Sequence, residues 1–260
     1  MPSTFPLEIE EIILDLLADE DDKGHSALKT CSLVCQAFLP ICRKHIFGSI
    51  ALNGHHGNMI SLTTHAFEHL LRETPEIADY IRKLYFFIKI ADLASSSIQE
   101  SLKRISRLEF LSVRYYNWQA LDWSNNPFHP ALLHLLHLPT LTHFVVINIS
   151  VFALSDLIPC ANLKYLDFSY FSIAAENTFP VTMPEHSIQL NEFAAGSGTS
   201  AATVMKFCST RHPDGQPIID FGSLSKIKVH FTLGGSSQRR PLQELFKHCR
   251  ALTNVSISCK

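Results

Sequence analysis

One spacing of apolar residues recurs through most of the chain and limits the folds open to it. An apolar residue is followed by a second one three positions later and by a third two positions after that. Because neighbouring side chains of a strand point to opposite faces, the last two apolar residues of each run share a face. Seven such runs begin at Ile81, Leu108, Leu141, Leu163, Leu190, Leu224 and Leu252.

Helical or turn-like segments separate several of these predicted strands. Residues 98–105, 130–138 and 242–249 precede the second, third and last runs, and successive runs start 22 to 34 residues apart. A repeated strand and crossover places parallel strands in one layer and helices in another. No single unit can bury its own apolar side, so the units must stack. The sequence therefore predicts an α/β fold with stacked parallel strands.

The spacing resembles the strand of a leucine-rich repeat, although the repeats are degenerate. The Asn or Cys of the full consensus is missing after most strands, and Asn148 is an isolated exception. The resemblance implies an irregular leucine-rich-repeat solenoid over residues 79–260, with strands on the concave face and helices outside. No polar capping unit follows the last run, so we expect either an exposed final edge or a truncated gene product.

Side chains between the apolar positions are expected on the concave face. They are chemically mixed, which suits a protein segment better than a small anion, although ordinary solvation explains any one of them equally well. The resemblance makes this face the predicted substrate-binding surface. Its predicted residues are Tyr85, Ser112, Arg114, His143, Val145, Tyr165, Asp167, Glu192, Lys228, His230 and Ser256.

The first fifty residues follow a different, helical pattern. Pro6 and the glutamates after it suit the start of a helix, and apolar residues at positions 9, 12, 13, 16 and 17 form one wide stripe. Ser26 can cap a second helix, and residues 41–47 predict a short third one. A three-helix core of this size is marginal alone and usually gains stability from a partner or a neighbouring domain.

The run P-L-E-I, the apolar stripe and C-S-L-V-C-Q-A-F-L-P-I-C-R together resemble the F-box of a large fungal group of F-box proteins. Phe5 and Phe38 stand where that family usually has Leu and Trp. The resemblance implies an F-box domain at 1–50, a linker helix at 51–78 and the repeats at 79–260. It also implies docking on a Skp-type adaptor and, through it, on a cullin–RING ubiquitin ligase. The predicted adaptor-binding residues are Phe5, Pro6, Leu7, Ile9, Ile12, Leu16, Leu28, Val34, Cys35 and Phe38.

Composition argues against several other classes of protein. A net charge of −2 provides no electrostatic footprint for nucleic acid or an anionic membrane. Seven cysteines without framework spacing indicate reduced, buried thiols and a cytoplasmic or nuclear location. Residues 123–155 contain no Asp, Glu, Lys or Arg, but Pro127, Pro130 and Pro139 interrupt them, which favours buried strand and helix over a membrane span.

Two motifs could suggest a metal site, but for each of them a purely structural role explains the residues better. His65, Glu68 and His69 fit H-x-x-E-H but lack a third ligand, so a helix at 61–72 covering the first repeat is favoured. Cys31, Cys35, Cys42 and His45 lack the paired short loops of a structural zinc site, and the three cysteines coincide with apolar-face positions. We predict no metal, no cofactor and no catalytic role. A non-ligase F-box scaffold and a repeat-only interaction module remain alternatives to a ligase substrate receptor.

Overall fold

A computed structural model describes the chain at residues 7–19, 22–34, 36–55, 59–174, 187–212, 215–231, 243, 245–247 and 249–259. Three amino-terminal helices are present, but the second begins at Asp22, so Ser26 lies inside that helix and does not cap it. They enclose a small core of Leu14, Leu28, Cys42 and Ile46. The helices are α1 (Leu7–Asp19), α2 (Asp22–Cys31) and α3 (Phe38–Phe47).

A nine-stranded parallel sheet forms the rest of the framework. Its strands follow one another in the order β13-β12-β10-β8-β6-β4-β3-β1-β2, and every adjacent pair is parallel. This confirms the predicted α/β class and the stacking of parallel strands. Two further pairs of short strands, β5 with β7 and β9 with β11, form separate two-stranded sheets. All the strands described, in chain order, are β1 (Ser49–Leu52), β2 (Ile60–Leu62), β3 (Lys83–Ile88), β4 (Phe110–Tyr115), β5 (Leu121–Asp122), β6 (His143–Ile147), β7 (Ile149–Ser150), β8 (Tyr165–Ser169), β9 (Ile188–Gln189), β10 (Glu192–Ala195), β11 (Ile219–Asp220), β12 (Lys226–Phe231) and β13 (Asn254–Cys259).

Short helices connect the strands. Thr63 and Ser200 cap two of them, each accepting a backbone N–H three residues later at 3.1 Å. The predicted helix at 61–72 is present, whereas the helix after Ser200 was not predicted. The helices are α4 (Thr64–Glu73), α5 (Ser97–Lys103), α6 (His129–Leu136) and α7 (Ala201–Ser209), with 3-10 turns at Pro75–Tyr80, Ile90–Ala94 and Leu154–Leu157.

One face of the sheet and the connecting helices share a single core. The apolar residues of the predicted runs point to this face, and those of the first six runs are fully buried. Phe168 illustrates the packing: its ring lies 4.7 Å from that of Phe207 on α7 and 5.3 Å from that of Phe193 on β10. At about 25 cal/mol for each Å² of apolar surface removed from water, this face supplies most of the stabilisation.

The segment 51–78, predicted as a linker helix, also contains strands of the sheet. The predicted boundary at residue 50 between the helical module and the linker is therefore wrong. β1 crosses residue 50, and β2 pairs with its outer edge. The sequence carried the signal, because Phe47, Ile50 and Leu52 have the same apolar spacing as the later runs. The end of the third helix obscured it. Phe47 packs against both the small helical core and the main core, so it joins the two.

Two asparagines close the carboxyl ends of strands in a left-handed backbone conformation. Asn53 has φ of 60° and donates to Phe87 O, and Asn148 has φ of 61° and donates to Tyr115 O. Asn148 also donates to Asn117 O at 2.7 Å. In each case the amide satisfies carbonyls at the end of the adjacent strand. From the sequence, the consensus asparagine of the repeats was recognised only at Asn148. Asn53 has the same backbone conformation and a similar hydrogen bond, so it is the structural counterpart of Asn148.

The connection that follows β4 is anchored by buried aromatic side chains. Trp123 and Phe128 are fully buried, whereas Trp118 is fully exposed. In the connection between β8 and β9, residues 175–186 lie outside the described residues. The charge-free stretch 123–155 folds into α6, β6, β7 and a 3-10 turn. None of the helices described is long and apolar enough to cross a membrane.

The last strand in the order of the sheet, β13, carries apolar side chains that are partly exposed. Val255 and Ile257 of β13 belong to the core-facing row, as their register with Ile227 and Val229 shows. They are nevertheless 48% and 45% exposed.

We predict that Asn148 stabilises the fold through both its amide and its backbone conformation. Asn148→Gly should lower the free energy of unfolding by about 1–2 kcal/mol, because two hydrogen bonds are lost. Asn148→Ala should lower it by about 1 kcal/mol more, because a β-carbon disfavours the left-handed region. Urea denaturation measures both values. An alanine variant as stable as the glycine variant would contradict the prediction.

Candidate functional site

The first helix turns most of its apolar surface outward. Leu14 faces the small core and is buried, whereas Ile9, Ile12, Ile13 and Leu16 are 42%, 57%, 50% and 64% exposed. Their spacing places these four side chains on one face of α1. We term this set the α1 apolar face. The stripe found in the sequence is therefore largely not the core-facing side of the helix.

A second exposed apolar feature lies in the turn after α2. Leu33 and Val34 are 87% and 68% exposed. Their backbone N–H groups donate to Thr30 O and Cys31 O, each at 3.0 Å, so the turn continues the end of the helix. Ordered backbone therefore holds two large apolar side chains in water next to the helical module's core.

Charged and polar side chains of α3 contact α1 and the 3-10 turn before β3. His45 Nε2 lies 2.7 Å from Asp15 Oδ1, and Lys44 Nζ lies 3.6 Å from Glu11 Oε1. Arg43 donates to Glu76 Oε1 at 3.0 Å, which ties α3 to the 3-10 turn before β3. Exposed pairs of this kind add little stability, so their effect is mainly to set orientation.

The structure separates the predicted adaptor-binding residues into different groups. Leu28 is buried in the helical core, which corrects its assignment to the surface, and Phe38 is half-buried against that core. The exposed apolar residues Ile13 and Leu33 were not among the predicted contacts. Ile9, Ile12, Leu16 and Val34 are exposed, whereas Phe5, Pro6, Cys35 and the side chain of Leu7 lie outside the described part of the chain.

The face of the sheet opposite the helices, termed the open face, carries the predicted substrate-binding residues. In each strand, one residue lies between the last two apolar residues of the run. The parallel register places these residues in a single row across the strands, termed the central row. Rows on either side hold Arg114, His143, Tyr165, Glu192 and His230. The central row is Ala51, Tyr85, Ser112, Val145, Asp167, Ala194, Lys228 and Ser256.

Part of the central row is buried, contrary to the expectation of solvent-facing side chains. Tyr85, Ser112 and Val145 are each less than a tenth exposed, although Tyr85 and Val145 lie outside the main core. Larger neighbours cover them: Arg114 Nε donates to Ser112 Oγ at 3.2 Å, and the ring of Phe110 lies 4.7 Å from that of Tyr85. The flanking rows therefore form much of the accessible surface.

Four aromatic side chains cross the open face side by side. The ring centroids of Tyr85 and Phe110 are 4.7 Å apart, those of Phe110 and His143 are 6.2 Å apart, and those of His143 and Tyr165 are 5.4 Å apart. Neighbouring rings are inclined to one another by 29° to 33°. This aromatic row was not recognised from the sequence, because its members come from four strands.

Asp167 lies at the centre of the open face. Burial raises the pKa of its carboxyl group, although a hydrogen bond from Tyr165 and the charges of Lys228 and Arg114 oppose that shift. Tyr165 Oη donates to Asp167 Oδ2 at 3.3 Å. Burial and the charge of Asp167 raise the pKa of Tyr165 to about 12. Burial also lowers the pKa of His143, so its imidazole is neutral at pH 7.

The open face is more cationic than the chain as a whole. Lys83, Arg114, Lys226 and Lys228 contribute four positive charges, against the negative charges of Asp167 and Glu192. Lys226 Nζ lies 2.7 Å from Glu192 Oε1, and Arg114 Cζ lies 5.4 Å from the centre of the Phe87 ring.

A cavity lies towards one end of the open face. Its volume is about 200 Å³, its floor includes Ala194, and Tyr165 forms part of its wall. Lys228, Asn254 and Ser256 line the side nearest β13. A space of this size accepts one side chain of a bound segment. The open face thus offers an apolar row, paired charges and a shallow cavity, which together suit recognition of a polypeptide.

The two motifs that suggested metal sites occupy ordinary structural positions. His65 and His69 are exposed on α4, and Glu68 accepts a hydrogen bond from Ser95 Oγ at 3.2 Å. Cys42 is buried in the helical core. Within the described ranges, no group of three His, Cys, Asp or Glu side chains is arranged to hold a metal ion. No disulfide involves Cys31, Cys42, Cys160, Cys208 or Cys249.

The chain matches no protein-family model, and a search of curated proteins finds no similar sequence. The resemblance to F-box and leucine-rich-repeat proteins therefore rests on the residues quoted above and remains a prediction.

We predict that Asp167 lowers stability as pH rises. Its pKa in the folded chain is raised above the ordinary value of 3.8, so the folded state holds the proton more tightly than the unfolded state. The stabilisation from the protonated form is present below pH 3.8 and is lost as pH rises through the folded pKa. Asp167→Asn should remove this loss.

Urea denaturation of both proteins between pH 3.5 and pH 7 tests this prediction. The variant should gain in free energy of unfolding relative to the wild type as pH rises. A constant difference across that range would contradict it.

Proposed function

We propose that this chain is an F-box protein that serves as the substrate receptor of an SCF-type ubiquitin ligase. Residues 1–50 bind a Skp-type adaptor, which attaches the receptor to a cullin–RING ligase. The open face of the sheet binds a protein substrate and forms the concave face of a leucine-rich-repeat solenoid. The observation that carries the proposal is the α1 apolar face, in a segment whose sequence resembles an F-box.

The energetics of the helical module support a permanent partner. Fully burying one Ile or Leu side chain is worth about 1.5–3 kcal/mol, so covering the four residues of the α1 apolar face contributes several kcal/mol. The module's own core consists of four buried residues. A core of that size gains much of its stability from contacts with another chain or domain. The exposed Glu8 and Glu11 supply a polar rim beside the apolar face.

In this role the chain performs no chemistry of its own. It holds a substrate near the ubiquitin-charged partner and so raises the effective concentration of the reacting groups. The proposal places the protein in the cytoplasm or nucleus, where such ligases act.

Adaptor binding is tested by a charge placed in the α1 apolar face. Ile12→Asp should abolish capture of a purified Skp-type adaptor, because an unpaired carboxylate would be buried at the interface. Ile90→Asp is the matched control: Ile90 is 61% exposed, close to the 57% of Ile12, but lies in the 3-10 turn after β3. Both variants should unfold at the wild-type temperature, since neither side chain is in a core.

A pull-down from cell extract, with the same two variants, shows in addition whether a cullin is recovered together with the adaptor. Recovery of a cullin with the wild-type chain, and its loss with Ile12→Asp, supports the ligase role. Recovery of the adaptor without a cullin assigns the chain to a non-ligase scaffold. Equal adaptor capture by Ile12→Asp and Ile90→Asp would remove the docking assignment.

A second experiment separates the two proposed surfaces. Lys228→Glu reverses an exposed charge on the open face, whereas Lys103→Glu makes the same change on α5. Quantitative affinity purification should show that Lys228→Glu keeps the adaptor but loses at least one other protein bound by the wild type. Ile12→Asp should give the opposite pattern. Loss of the same proteins from Lys103→Glu would contradict a role for the open face.

A further inference from the structure

A separate cavity lies among the segments near β11. Its volume is about 340 Å³. The turn before β11 contributes Arg211, β11 contributes Asp220, and the segment before β13 contributes Lys247 and Arg250. Pockets of a few hundred Å³ with convergent polar groups are the size that small ligands occupy.

The charged groups around this cavity are mostly of one sign. Arg211, Lys247 and Arg250 face it with a single described carboxylate, that of Asp220. The positive charges of Arg211 and Arg250 repel each other across the cavity, and an anion bound between these two arginines would relieve that repulsion. Within the part of the chain that the structure describes, neither arginine makes an ion pair.

The position of these arginines contrasts with that of other arginines in the chain. Arg43, Arg72 and Arg82 each lie against a glutamate at 3.0 to 3.7 Å. Arginine presents a planar set of N–H donors that matches the oxygens of phosphate or carboxylate. Two arginines at one cavity, neither of them in an ion pair with a described residue, can therefore bind an anion together.

The remaining polar groups help to fix the shape of the cavity. Asp220 Oδ1 accepts the backbone N–H of Gly222 at 2.8 Å, which commits that oxygen to the turn after β11. Arg211 forms an antiparallel bridge with Pro217, and His212 N donates to Gln216 O at 2.8 Å. The backbone under Arg211 is therefore held in place.

We propose that this cavity binds the phosphoryl group of a small phosphorylated compound through Arg211 and Arg250. The inference is independent of the proposed ligase role, because the cavity is lined by residues outside both the α1 apolar face and the open face. The same phosphate chemistry is available from a soluble compound or from a lipid headgroup, and the test distinguishes these two sources.

Isothermal titration calorimetry of the full chain with sodium pyrophosphate, at constant ionic strength, tests the soluble source. The wild type should show saturable one-site binding. Arg211→Gln combined with Arg250→Gln should weaken it by about tenfold or more, because charge-assisted hydrogen bonds are lost. Arg72→Gln combined with Arg107→Gln is the matched control, since it removes two arginines from outside the cavity and should leave the affinity unchanged.

Co-sedimentation with phosphatidylcholine vesicles, with and without phosphatidic acid, tests the headgroup source. Binding that requires phosphatidic acid and is lost in the cavity variant assigns the phosphate to a lipid. Pyrophosphate binding alone assigns it to a soluble compound. The absence of saturable binding by the wild type in both experiments overturns the proposal, as does equal affinity of the cavity and control variants. If the double variant does not fold, Arg250→Gln alone replaces it, since Arg250 is exposed.

Discussion

The fold depends on burying only one face of a parallel sheet. Parallel sheets usually have helices on both faces, and their strands are then apolar on both sides. Here each strand gives its large apolar side chains to the helices on one face, and mixed side chains occupy the other. The open face can meet water because its central row is short or covered by its neighbours. That arrangement leaves a broad, ordered surface without requiring a second layer of helices.

The sequence contained most of the information about this framework. The apolar spacing located seven strands and their order, because a period of two residues and a repeated offset directly report which side chains are buried. β1 was missed although Phe47, Ile50 and Leu52 repeat the spacing, since Phe47 also ends a helix. α7 was missed because its strongest signal was the cap at Ser200, among small residues that also suit a turn.

The candidate surfaces were only partly predictable, for a different physical reason. A stripe of apolar residues on α1 does not reveal whether it faces a core or a partner, because both environments favour the same side chains. Only the positions of Leu14 and Leu28 in three dimensions assign the core side. Likewise, the aromatic row and the burial of Ser112 depend on neighbours from adjacent strands, which sequence spacing does not specify.

The helical module and the sheet are closely joined. A single residue, Gly48, separates α3 from β1, and its carbonyl accepts the N–H groups of both Arg82 and Lys83. A β-carbon at Gly48 would lie 2.7 Å from Lys44 O, so glycine is required for this close approach. With Phe47 packed into both cores, the orientation of α3 relative to the first strands is set by short-range contacts.

The asparagines that close the strand ends have a consequence for how such a chain can change through evolution. Each one seals its strand with side-chain hydrogen bonds, so the connection beyond it does not have to hold the register. The number of residues along the sequence from one member of the central row to the next varies accordingly. It is 22 between Val145 and Asp167 and 34 between Ala51 and Tyr85. Insertions and deletions can therefore accumulate in the connections while the spacing of the strands stays constant, which allows loops to diversify on a conserved frame.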